Sequence, residues 1–167
     1  MGTKMNAPNT MAAAPHLPGA DIDTLALVLG GAYPPGIYRV ADREAAPHVL
    51  RRAQRRGWLG WHLNGRAIES KAEFLAACAR ALRFPAYFGR NWDAFEECIT
   101  DLSWLPAAGY VLLYEAPNRF AAAQPHEWRT ARAVLGGATA YWREKGVPFY
   151  VLLRKSGGAA PDLPLLV

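Results

Sequence analysis

The sequence predicts an α/β fold: a small three-stranded parallel sheet packed with helices, preceded by an N-terminal extension. Two observations predict it. Apolar runs at residues 58–63, 110–114 and 149–153 have the length and composition of strands. The segments between them carry apolar residues at helical spacing, with recognisable starts and stops. At 167 residues the chain is about one domain long. The right-handed crossover rule then restricts how such strands can be ordered.

Residues 1–20 are rich in Met, Ala, Asn and Pro without periodicity and read as a disordered arm. Residues 21–57 read as the extension. Within it, residues 25–29 and 37–40 read as short strands, broken by Gly30-Gly31 and Pro34-Pro35-Gly36. Asp42 is placed to cap a basic helix over residues 43–56, which Gly57 closes. Residues 58–155 carry the α/β pattern. Asn64-Gly65 is a turn pair after the first strand. Ser70 begins a helix through Leu82, with Glu73 completing a capping box and Phe74, Leu75, Cys78 and Leu82 on one face. Asn91 is placed to cap a second helix through Leu102. Beyond the strand at 110–114, a loop with Pro117 and Pro125 leads to a helix over residues 127–145. Gly136-Gly137 predicts a kink or interruption there, and Gly146 ends the helix before the last strand. Residues 156–167 read as a C-terminal tail that ends apolar.

Hydrophobic residues make up 51% of the chain and charged residues 20%, which excludes an intrinsically disordered protein. The apolar run at residues 25–29 falls far short of the roughly 20 residues that a membrane helix needs. Asp21 and Asp23 stand where a signal peptide carries basic residues. Two cysteines make no disulfide framework, and Cys78 and Cys98 read as helix-buried thiols. Together these features predict a cytoplasmic protein. His16, His48, His62 and His126 are scattered, and no two have metal-ligand spacing. Neither a phosphate-binding glycine loop nor a nucleophile elbow occurs. The expectation is therefore a non-enzyme without metal, cofactor or catalytic residues.

The net charge is +5, yet residues 84–104 set Arg90 against Asp93, Glu96, Glu97 and Asp101. Helical spacing puts Trp92, Phe95, Cys98, Ile99 and Leu102 on one face. Asp93, Glu97 and Asp101 fall on the opposite face, flanked by Glu96 and Thr100. Like charges four residues apart cost an isolated helix about 0.2–0.5 kcal/mol per pair, and no Lys or Arg on this helix offsets that. The stripe reads either as a solvated face, with Asp93 favoured by the helix dipole, or as a patch that meets a basic partner. In the loop before it, Phe84 and Phe88 read as core and Tyr87 as an exposed anchor.

The run Phe84-Pro85-Ala86-Tyr87-Phe88-Gly89-Arg90-Asn91-Trp92-Asp93-Ala94-Phe95-Glu96-Glu97-Cys98-Ile99 resembles the signature loop and helix of the barstar family. Members of that family are intracellular inhibitors of a ribonuclease. The resemblance extends over about residues 58–154. It implies an inhibitor of the antitoxin or immunity type, which inserts an acidic side chain among the basic groups that bind RNA phosphate. Carried onto this chain, it implies Glu97 at the centre, Tyr87 against the enzyme's catalytic histidine, and Asn91, Asp93 and Thr100 as contacts. Glu96 and Asp101 complete the acidic face. The family has aspartate at the position of Glu97; its prototype has tryptophan at those of Glu96 and Leu102 and a further glutamate contact at that of Tyr141.

A second cluster, Arg51-Arg52-Ala53-Gln54-Arg55-Arg56, reads as a solvated helix end that suits the dipole, or as a phosphate contact with nucleic acid. The alternatives to a ribonuclease inhibitor are thus a nucleic-acid-associated regulator that uses this helix, and a barstar-like scaffold that binds an unrelated protein. A basic extension and an acidic patch in one chain also invite an internal contact that masks the patch.

Overall fold

The computed structural model describes residues 23–41 and 43–166; the arm at residues 1–20 and the cap at Asp42 lie outside the described residues. The elements are α1 (Thr24–Leu29), β1 (Ile37–Val40), α2 (Ala46–Arg55), β2 (Leu59–Asn64), a 3-10 turn (Gly65–Ala67), α3 (Lys71–Ala81), α4 (Trp92–Asp101), β3 (Tyr110–Glu115), α5 (Asn118–Ala123), α6 (Pro125–Glu144), β4 (Phe149–Arg154) and β5 (Leu165–Leu166).

The sheet is parallel, as expected, but it has five strands and not three, in the order β2-β3-β4-β1-β5. The three strands expected from the α/β pattern are β2, β3 and β4. β4 explains the other two. All six of its residues are buried, so it cannot stand at an edge with unpaired backbone groups. β1 takes that edge, with Ile37 opposite Val151 and the Val151 N–H donating to the Gly36 carbonyl at 3.0 Å. β5, from the tail, then pairs with β1 through Arg39 and Val40.

Side chains alternate along each strand, so the sheet has two cores. Tyr110, Leu112 and Tyr114 of β3 join Phe149, Val151 and Leu153 of β4 beneath α3, α4, α5 and α6. Phe74 of α3 is central to this core. Its ring lies 5.4–6.0 Å from those of Phe120, Phe95, Trp92 and Tyr114. Val111, Leu113, Tyr150 and Leu152 point the other way and are covered by Leu25, Val28 and Leu29 of α1 and Val49 and Ala53 of α2. The connection from β1 to β2 runs across the sheet in the opposite direction to those from β2 to β4. With one handedness of crossover, their helices must lie on opposite faces.

Several elements differ from expectation. Residues 25–29 form helix α1, not a strand. The Asp23 carboxylate caps it by accepting from the Ala26 N–H at 2.9 Å, and Leu25, Val28 and Leu29 bury one helical face. α2 begins at Ala46, later than residue 43, with Pro47 in its first turn, where proline is tolerated, and no side-chain cap from Ala45. The expected loop around Pro117 contains α5. α6 passes through Gly136-Gly137 without a break. Its flanking residues Ala131, Leu135 and Ala138 are buried on the sheet, and tertiary packing of this kind overrides weak local propensity.

At the carboxyl ends of the strands, Arg154 ties three segments together. Its guanidinium donates to Glu115 Oε1 at 2.6 Å and to the Glu44 carbonyl. His62 Nε2 lies 3.0 Å from the other Glu115 oxygen. Burial works to raise the Glu115 pKa, but the His62 hydrogen bond and the Arg154 charge outweigh it and hold the carboxyl below its usual range.

Two expectations follow from this architecture. A fragment of residues 58–167 lacks the helices that cover Val111, Leu113, Tyr150 and Leu152; it should bind a hydrophobic dye and lose the cooperative urea transition of the whole chain. Glu115 is more acidic folded than unfolded. It therefore contributes stability above the unfolded carboxylate pKa, about 4.3, and that contribution fades as the pH falls through the lower folded value. Glu115→Gln should weaken the protein at neutral pH and flatten its loss of stability in acid, as read from urea midpoints across that range.

Candidate protein-binding site

The loop between α3 and α4 is built to project one ring. Arg83 and Arg90, with φ of 52° and 53°, turn the chain at its two ends. Phe84 packs edge-on to Phe88, with centroids 5.0 Å apart, and to Trp104 at 6.1 Å. These rings hold the loop against the core and leave Tyr87 77% exposed. Asn91 then caps α4, its Oδ1 accepting from the Ala94 N–H at 2.8 Å. α4 buries Phe95, Cys98 and Ile99 and ends at Leu102, a buried residue with φ of 48°.

Two indoles fix α4 to α6. Trp92 Nε1 donates to Glu127 at 2.8 Å, start to start, and Trp142 Nε1 donates to the Ile99 carbonyl at 2.9 Å, end to end. Between the loop, α4 and the end of α6 lies an open groove of about 620 Å³. Four of the candidate contact residues on the loop and α4 line it: Tyr87, Glu97, Thr100 and Asp101. Asn91, Asp93 and Glu96 are exposed nearby but do not line the groove. Asn91 serves α4 as its cap, and the Thr100 hydroxyl donates to the Glu96 carbonyl at 2.7 Å.

The four carboxylates of α4 are exposed, and none forms an ion pair among the described residues. Cys98 lies on the groove floor. Burial, and then the charges of Asp101 and Glu97, push its thiol pKa up, which disfavours the thiolate. Tyr141 and Trp142 of α6 and its C-cap, Lys145, also line the groove. Of these, only Tyr141 carried a sequence signal, as the position of a family contact; the other two reach the groove by tertiary packing. Among the described residues, no group of three or more His, Cys, Asp or Glu is placed to hold a metal ion.

α2 lies on the other face of the sheet from α4, so it cannot mask the groove within one chain. Its Arg52 pairs with Asp23 at 2.6 Å and with Glu44 at 2.8 Å. Arg51, Arg55 and Arg56 are exposed and form no ion pair among the described residues.

The fold is thus of the α/β class, a parallel sheet that carries an aromatic loop and an acidic helix beside a groove. The family model described as Barstar (barnase inhibitor) matches residues 58–154, more than half of the chain, and the chain belongs to that family. No curated protein matches the sequence. Among solved structures, the chain is similar to the ORC2 protein of Aeropyrum pernix. With its ADPNP-ADP complexes the identity is 12% and the TM-score 0.56; with its ADP form they are 11% and 0.57. Each match covers 86% of this chain and 44% of the other, so the chain spans less than half the length of those proteins. At such identity the likeness is one of fold alone. No helix among the described residues is long and apolar enough to cross a membrane.

Asn91→Ala removes the cap that starts α4 and should cost about 1 kcal/mol. Urea denaturation at neutral pH would read this as a lower midpoint at unchanged slope.

Proposed function

We propose that this protein is a non-enzymatic inhibitor of a ribonuclease, docking the groove side of α4 onto the enzyme's basic active site. The observation that carries the reading is the α4 stripe: four exposed carboxylates without an ion pair, two of them lining a groove beside the exposed Tyr87. Membership of a family described by the inhibition of barnase supports it. An RNA-binding site is a cluster of cations, and a carboxylate that enters it replaces phosphate. Close charge pairs of this kind couple by about 1.5–7 kcal/mol each, so one side chain can dominate the contact. Glu97, in the middle of the stripe, is that residue. Asp101 and Thr100 flank it in the groove, Tyr87 supplies the ring that packs on the enzyme, and Asn91, Asp93 and Glu96 form the rim. The net charge of +5 opposes long-range attraction to a basic enzyme, so the stripe acts at short range and association is slower than for an acidic inhibitor. The proposed site of action is the cytoplasm, where the free thiols of Cys78 and Cys98 remain reduced.

RNA contact by the α2 arginines has less behind it, because Arg52 is already taken up by two carboxylates.

The test is capture of a ribonuclease from the source cell's lysate and secretions, followed by titration of its activity. Glu97→Arg should abolish capture and inhibition, and Glu97→Ala should weaken both at least 100-fold, a loss of about 2.7 kcal/mol. Circular dichroism and the urea midpoint should stay those of the parent. Unchanged inhibition by Glu97→Arg would overturn the proposal.

A further inference from the structure

The groove is not acidic on both sides. Glu97 and Asp101 stand on its α4 wall, whereas the α6 wall carries Tyr141 and Lys145. Lys145 Nζ lies 5.5 Å from the centroid of the Tyr141 ring, a cation–π contact that holds the ammonium on the wall. Tyr141 stands edge-on to Trp142, with centroids 5.5 Å apart, and Trp142 is tied to α4 through Ile99. The cation therefore rests on fixed parts. Lys145 forms no ion pair among the described residues, and neither does Glu97 or Asp101. The two signs of charge are both presented to whatever enters.

We propose that Lys145 is a specificity determinant of this groove: it selects against ribonucleases that are basic across the whole contact and favours one that sets an acidic side chain beside its basic cluster. The inference rests on the inhibitor reading of the same site. Like charges facing one another across an interface suppress a wrong partner, while opposite charges fix the register of the right one. An enzyme presenting only cations meets Glu97 and Asp101 well and Lys145 badly. An enzyme with a carboxylate next to its cations is matched on both walls.

The lysine is replaceable without harm to the fold. It is exposed, and its link to α6 runs through the backbone N–H, which donates to the Trp142 carbonyl at 3.0 Å. Arg143, in the last turn of α6, offers a reference charge two residues away. It does not line the groove, and its charge bears on Tyr38 of β1.

The experiment follows association of the full chain with barnase, the ribonuclease in the family's description, at low and moderate salt. The parent is compared with Lys145→Ala, Lys145→Glu, Arg143→Glu and Glu97→Arg. Lys145→Glu should raise the association rate about 10-fold at low salt and Lys145→Ala about threefold, both gains shrinking as salt is added. Arg143→Glu changes the net charge by the same amount and should alter the rate less than about twofold. Binding by Lys145→Glu where the parent shows none would also support the proposal. An equal gain from Arg143→Glu would reduce the effect to overall charge and overturn it. No gain from Lys145→Glu, with Glu97→Arg still destroying binding, would overturn it and leave the inhibitor reading standing. No binding by any variant would count against both, because a groove made acidic on both walls should accept a basic ribonuclease.

Discussion

A parallel strand buried along its whole length needs a neighbour at each edge and cover on each face. β4 imposes that requirement on this protein, and much of the architecture answers it. β3 and β1 satisfy its two edges. The helices that follow β2 and β3 cover Phe149, Val151 and Leu153, while α1 and α2 cover Tyr150 and Leu152. The described residues before residue 58 thus add a strand to the sheet and cover one of its two faces. The tail is drawn in as well, since β5 pairs with β1.

The same layering separates the charges. α4 and α2 are both amphipathic, and each turns its apolar stripe to the sheet. Because they cover opposite faces, the acidic surface of one and the arginines of the other point away from each other. Among the described residues the carboxylates of α4 therefore form no ion pair, which leaves their charge available to a partner. Arg52, by contrast, is absorbed into the fold by Asp23 and Glu44.

The groove depends on rigid supports outside it. Trp92 and Trp142 join α4 to α6 at both ends, and Phe84 and Phe88 anchor the loop that carries Tyr87. Partner-facing side chains held on such parts lose little freedom on binding. The cation–π contact gives Lys145 the same kind of support. A groove with opposite charges on its two walls recognises an arrangement of charge and not merely its sign.

Local patterns determined much of this protein. The caps at Ser70 and Asn91, the apolar faces of α3 and α4, and the strands β2, β3 and β4 are each specified by residues close in sequence. So is the acidic stripe, because helical spacing alone puts Asp93, Glu97 and Asp101 on one side. The run at residues 25–29 misled because short apolar segments suit a strand or a helix equally; Asp23 and burial on the sheet decided for the helix. Tertiary structure alone decided that β1 and β5 join the sheet, since pairing with β4 and β1 involves residues more than a hundred positions apart. It also decided which side chains share the groove. Glu97 stands on α4 and Lys145 at the C-cap of α6, and only the packing of α4 against α6 brings them to one opening. Periodicity is a local property that one segment can display, whereas the meeting of two faces depends on a core assembled from the whole chain.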